Sequence, residues 1–246
     1  SFYSTCDRAG MLAIAEIPCW QFNERQFRRG AVRELCSSMA FSLTRQLGNH
    51  PSIIGWIIQN ESKTRAPGAA AFFKAVSGAF KQADPARPII TAESSRVPLE
   101  HLGIVDQRGA PPLAMPSTVG VADILGINEY SGWYHGDAGD LFRVLDAYRR
   151  RLPRKPLMVT EFGAEGIPGE RSLTMHPWTE DYQVALLVRK IRGLLRRRDL
   201  LGFFIWLFAD YECGSIGIRG INAKGLVDGY RRPKLALNEV RNLLRK

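Results

Sequence analysis

The amino-acid sequence predicts an α/β fold with a parallel sheet, and among such folds an incomplete (β/α)8 TIM barrel. Three observations lead there. Short, nearly continuous apolar runs alternate with longer helix-patterned segments, as expected of strands buried on both faces. Polar residues stand at or near the C-terminal ends of several runs: Glu16, Asn60-Glu61, Asn128, Glu161 and Asp210. A barrel builds its working rim from the ends of different strands. The doubly wound alternative lacks its signature: no GxGxxG follows the first run, and no GxxxxGK[ST] occurs anywhere. The nearest spacing, Gly214, Gly217 and Gly220, follows the last run and opens no helix.

In chain order, the strand candidates are residues 10–17 (GMLAIAEI), 53–59 (IIGWIIQ), 88–92 (PIITA), 123–128 (DILGIN), 156–161 (PLMVTE) and 202–208 (GFFIWLF). Between them the apolar spacing predicts helices over 31–48, 68–83, 138–151 and 179–198, with a terminal helix over 233–245. Loop chemistry brackets these segments: Pro67-Gly68, Pro85 with Pro88, Pro111-Pro112, and Pro153 with Pro156. The chain opens almost directly into its first strand and shows neither an internal repeat nor a low-complexity segment. Six strands are expected rather than eight, so residues 1–246 are read as one partial barrel domain.

Composition narrows the class. The 246 residues are 45% apolar and 24% charged, which excludes a disordered chain, a collagen-like repeat and a disulfide-stapled miniprotein. No uninterrupted apolar stretch reaches the length a membrane span needs, so no membrane partner is expected. The net charge of +10 invites a nucleic-acid reading. However, the 26 arginines are spread along the chain, and the runs Arg149–Arg151 and Arg196–Arg198 both end helical segments, where cations complement the helix dipole. Nucleic acid is therefore not an expected partner. Cys6, Cys19, Cys36 and Cys213 show no CxxC pair, and the four histidines show no HExxH arrangement. This argues against a metal site and a disulfide framework. Scattered thiols suit a reducing, cytoplasmic setting. The sequence begins with Ser1, so targeting cannot be read from it.

Two carboxylates draw attention. Glu61 and Glu161 each end a strand, a hundred residues apart, and only a fold that gathers strand ends would unite them. Paired carboxylates on a barrel rim are the minimal equipment for glycoside hydrolysis. The competing reading is that either is a helix-start acid in a βα loop.

The sequences around them are more specific. His50–Ser62 reads HPSIIGWIIQNES, Val159–Gly166 reads VTEFGAEG, and Gly202–Tyr211 reads GFFIWLFADY. Together they resemble the catalytic barrel of glycoside hydrolase family 2. The resemblance runs from Cys6-Asp7-Arg8-Ala9-Gly10 to the terminal helix and starts just before barrel strand three. It therefore implies strands three to eight of a larger enzyme, without strands one and two or the preceding sandwich domains. It also implies that Glu61, after Asn60, is the acid/base and that Glu161 is the nucleophile.

Substrate class rests on further matches. Gly126–Tyr134 reads GINEYSGWY and resembles the family's glucuronidase segment at Asn128 and Tyr130, with Ser131 where a second Tyr is common. Asn222-Ala223-Lys224 matches the N-x-K motif that holds a sugar carboxylate, with Arg219 as an added contact. An ammonium and an amide give a carboxylate charge-assisted bonds that a neutral sugar cannot repay. The plain reading of Lys224 alone is a solvated loop lysine. Asn60 is expected to bond the sugar 2-hydroxyl, Tyr130 to orient Glu161, and Trp206 to form a sugar platform. Leu207 departs from the usual Asn of the strand-eight motif. Glu16 is either a rim acid or half of a structural ion pair, His50 is structural, and Trp133 and Tyr134 are rim aromatics. The resemblance thus implies retaining exo-hydrolysis of β-D-glucuronides without a cofactor, with a homo-oligomer of the full-length enzyme left open. The alternatives are β-galactosidase or β-mannosidase specificity, or a non-catalytic truncated barrel.

Overall fold

The computed structural model describes residues 1–95, 115–214 and 220–245. It is an α/β fold whose main sheet runs in chain order through six strands, with parallel pairing in the ladders β1–β2 and β2–β3. The strands are β1 (Ala13–Glu16), β2 (Ile53–Asn60), β3 (Ile89–Ser94), β4 (Ile124–Asn128), β5 (Leu157–Glu161) and β6 (Leu200–Phe203). Uninterrupted strand order with intervening helices is the plan of an incomplete (β/α)8 barrel. The helices are α1 (Phe2–Ala9), α2 (Glu24–Phe27), α3 (Gly30–Leu47), α4 (Ala69–Ala83), α5 (Asp140–Arg151), α6 (Glu180–Leu195) and α7 (Leu235–Leu244). A hairpin pairs β7 (Tyr211–Glu212) with β8 (Ile221–Asn222). Among the described residues no helix is long and apolar enough to cross a membrane.

The described chain forms two compact units. The first takes Ser1–Ser94, 115–127 and Lys155–Leu157; the second takes Ser95, Asn128–Arg154, 158–214 and 220–245. In the first unit, α3 and α4 cover β1 to β3. Phe72, Phe73, Val76, Ala79 and Phe80 recur at helical spacing and are buried with Trp56, Ile58 and Ile89. Trp56 stacks on Phe80 at 5.6 Å between ring centroids, and its indole N–H donates to Asp84 at 3.1 Å. Burying each such ring contributes roughly 1.5–3 kcal/mol. In the second unit, Leu141, Val144, Leu145 and Tyr148 of α5 and Leu187, Ile191 and Leu194 of α6 are buried.

The structure changes three expectations. The chain opens on α1, a helix capped by the Ser1 hydroxyl and closed by Gly10 in the left-handed region (φ 65°), rather than on a strand. The run 202–208 is strand only to Phe203. Beyond it, the Trp206 N–H donates to the Phe162 carbonyl at 2.9 Å and the Leu207 N–H to the Lys224 carbonyl at 3.3 Å. The apolar stretch thus leaves the ladder to become a rim segment. Third, the β7–β8 hairpin was absent from the expected elements; its strands have two residues each.

Candidate active site

In the first unit the Glu61 turn is fixed from several sides. Glu61 follows β2 in the left-handed region (φ 51°), which is costly for a residue with a Cβ. Its N–H donates to the Ala92 carbonyl at 2.8 Å, and the Ser62 N–H donates to Gln59 Oε1 at 3.0 Å. The Ser62 hydroxyl reaches the Cys19 carbonyl at 2.9 Å, which also accepts the Asn60 N–H. The Asn60 amide donates to the Glu16 carboxylate. Atoms packed around Glu16 push its carboxyl above the ordinary range, and the Asn60 bond opposes this.

A second carboxylate supports that turn from behind. Glu93 of β3 is buried and accepts from Gln59 Nε2 at 2.7 Å, Thr64 Oγ1 at 2.7 Å and Thr118 Oγ1 at 2.6 Å. Gln59 therefore bridges Glu93 to Ser62. Burial pushes Glu93 above the usual carboxylate range, against the pull of its hydroxyl donors and Arg65. His50 is structural: its Nδ1 lies 2.6 Å from Asp7, which also accepts the Ser52 N–H. These contacts lower Asp7 to about 2.

The second unit brings together most of the other expected residues. Glu161 ends β5, and its Oε2 accepts the Tyr130 hydroxyl at 2.6 Å. Asn128, buried at the end of β4, accepts the Thr160 hydroxyl at 2.7 Å through Oδ1. Between Asn128 and Tyr130, the Glu129 side chain turns inward to Lys190 of α6 at 2.7 Å, and both residues are fully buried. The other Glu129 oxygen accepts the Ser131 N–H at 2.7 Å. Burial pushes Lys190 below its ordinary value, while Glu129 holds it up. Gly163 has a steric reason: a Cβ there would lie 2.2 Å from the Trp206 carbonyl oxygen.

Lys224 is not a solvated loop lysine; it is 1% exposed. Its Nζ lies 2.9 Å from Glu165 Oε1 and 3.5 Å from Asn222 Oδ1. The rings of Tyr134, Trp133 and Tyr130 surround it with centroids at 5.1, 5.8 and 5.9 Å. Glu165 Oε2 accepts the Ala223 N–H at 3.0 Å, and Asn222 Oδ1 accepts the Lys224 N–H at 3.3 Å. Gln183 of α6 donates to the carbonyls of Ala164, Lys224 and Gly225. Lys234 donates to those of Gly166 and Ala223 while pairing with Asp210 at 3.0 Å. Glu165, Gln183 and Lys234 were not among the expected site residues, although VTEFGAEG contains Glu165 and Lys234 closes the Arg231-Arg232-Pro233-Lys234 run. Arg219 lies outside the described residues.

The family-model comparison decides what this chain is related to: the model "Glycosyl hydrolases family 2, TIM barrel domain" matches residues 1–246. The chain belongs to glycosyl hydrolase family 2. Among curated relatives, it is 29% identical to a β-glucuronidase of Streptococcus agalactiae, over 95% of this chain and 40% of that protein. It is also 29% identical to the β-glucuronidase of Homo sapiens, over 94% of this chain and 34% of that one. The chain thus spans between a third and two-fifths of these relatives' length. Among solved structures, a family 2 β-galacturonidase from Eisenbergiella tayi bound to galacturonate superimposes with a TM-score of 0.86. That match has 28% identity over 99% of this chain and 42% of the other. A β-D-glucuronidase of Dictyoglomus thermophilum gives 0.83 at 27% identity, over 99% and 42%.

Proposed function

We propose that the full-length family 2 protein is a retaining exo-glycosidase of β-D-uronides, with glucuronides preferred. The observation that carries this reading lies in the second unit: Tyr130 bonded to Glu161 at a strand end, together with the Asn222-Ala223-Lys224 turn. Glu161 attacks the anomeric carbon and forms a glycosyl-enzyme; Glu61 protonates the leaving oxygen and then takes a proton from water. Asn60 bonds the 2-hydroxyl, Asn128 supports the strand-end site, and Trp206 faces the sugar as a platform. Tyr134, which is half exposed, lies over Lys224, so the uronate carboxylate meets the ammonium by displacing that ring. Asn222 and Arg219 complete the clamp. The proposed reaction requires no cofactor.

A second reading, β-D-galacturonide hydrolysis, is favoured by the likeness to the galacturonate-bound enzyme of E. tayi. A carboxylate clamp reads C6 and is indifferent to C4, so it serves either sugar.

The test compares Lys224→Ala with wild type in the full-length protein, on aryl β-glucuronide, β-galacturonide and β-galactoside. Charge-assisted bonds contribute about 1.5–3 kcal/mol. Uronide kcat/KM should therefore fall from about tenfold to more than a hundredfold. Galactoside turnover should stay level or rise. Equal losses on all three sugars would reduce Lys224 to loop support and remove the uronide assignment.

A further inference from the structure

A buried lysine needs a counter-charge, and the structure provides one that the family motif does not name. Glu165 and Lys224 are each 1% exposed and meet at 2.9 Å. The carboxylate serves two successive residues of the turn, one oxygen taking the Lys224 ammonium and the other the Ala223 N–H. A carboxylate is acceptor-only with two oxygens, whereas an amide has one. No isostere can therefore satisfy both donors. The other charged groups of this cluster are Lys234, which senses Glu165, and its partners Asp210 and Glu180. Among the described residues, the rings of Tyr130, Trp133 and Tyr134 also stand around the ammonium, and Tyr130 is bonded in turn to Glu161.

We propose that Glu165 is a specificity-determining positioning residue: it fixes the Lys224 ammonium in the N-x-K turn, ready for a uronate carboxylate. This rests on the uronide reading above. Without Glu165, the ammonium would be buried beside aromatic faces, with its nearest anion removed. Proteins relieve such a state by moving the group toward solvent, and a displaced ammonium no longer stands where the sugar carboxylate would meet it. Glu165 touches Lys224 rather than the sugar, so its loss should raise the uronide KM more than it lowers kcat.

The experiment uses the full-length protein as wild type, Glu165→Gln, Lys224→Ala and the double variant. It reads the ratio of kcat/KM for an aryl β-glucuronide to that for an aryl β-galactoside, with kcat and KM resolved for each. In Glu165→Gln the ratio should fall about tenfold, mostly through KM. The double variant should match Lys224→Ala. A Glu165→Gln ratio equal to wild type, a loss carried by kcat with KM unchanged, or additive losses in the double variant would overturn the inference. If Lys224→Ala leaves the ratio unchanged, the uronide reading itself fails, and this inference with it. If Glu165→Gln does not accumulate as folded protein, Glu165→Asp replaces it. That variant keeps the charge at shorter reach, so it should lose the ratio by a smaller, several-fold factor, and no loss at all would overturn the proposal.

Discussion

The hydroxyl of Tyr130 donates to Glu161 Oε2 at 2.6 Å, a direct contact to the proposed nucleophile's carboxylate. A hydrogen bond to a charged group contributes about 1.5–3 kcal/mol. Here it holds the carboxylate in one rotamer. Tyr130→Phe keeps the ring beside Lys224 and removes only the donor. We expect kcat on the aryl uronide to fall about tenfold to a hundredfold with KM little changed; a kcat within twofold of wild type would exclude the orienting role. At this scale the sequence was readable where a motif is contiguous. Tyr130, Glu161, Asn222 and Lys224 all stand in short, recognisable stretches. Glu165 and Lys190 were missed because a buried ion pair joins residues 59 and 61 positions apart, and no local pattern announces such a pair. Lys224 was misjudged in its plain reading for the same reason: lysines are usually solvated, and its partner lies on another loop.

At the scale of elements, β2 to β5 were legible because parallel strands buried on both faces leave near-continuous apolar runs, whereas only residues 202 and 203 of the run 202–208 fall in β6. The helices α3 to α7 fell close to their expected spans for the complementary reason, a recurring apolar face. Helix α1 was not anticipated. Its sequence, FYSTCDRA, buries only Cys6 and is defined by its ends, a serine cap and a left-handed glycine. The β2–β3 pair carries a consequence for pH. Glu93 is raised by burial, so across the window above the ordinary carboxylate value the folded state holds its proton more than the unfolded chain does. Stability from this group is therefore fully present at low pH and is lost as pH rises through that window. Glu93→Gln keeps one acceptor oxygen and offers an N–H to the hydroxyl on the other side, as a protonated carboxyl would, but cannot ionise. In urea titrations between pH 4.5 and 7.5, the variant should gain on wild type as pH rises. A difference that stays constant across that range would show that Glu93 is not ionising there.

At the scale of the molecule, membership of glycosyl hydrolase family 2 sets the chemistry to be tested, and the proposed mechanism makes a stereochemical demand. Retention requires a nucleophilic carboxylate that becomes covalently bonded to the sugar, with the two carboxyl groups about 5–5.5 Å apart; inversion needs about 6.5–9.5 Å and forms no such bond. Glu61 directly follows β2 and Glu161 ends β5, two strands of the one six-stranded sheet. The most direct measurement is covalent trapping in the full-length protein with a 2-deoxy-2-fluoro-β-D-glucuronyl fluoride, whose electron-poor ring slows release of the glycosyl-enzyme, followed by peptide mass mapping. The account predicts one sugar per chain, attached to Glu161 within the peptide spanning VTEFGAEG. A label on any other residue, or turnover of aryl glucuronide by an enzyme that never acquires the label, would contradict it.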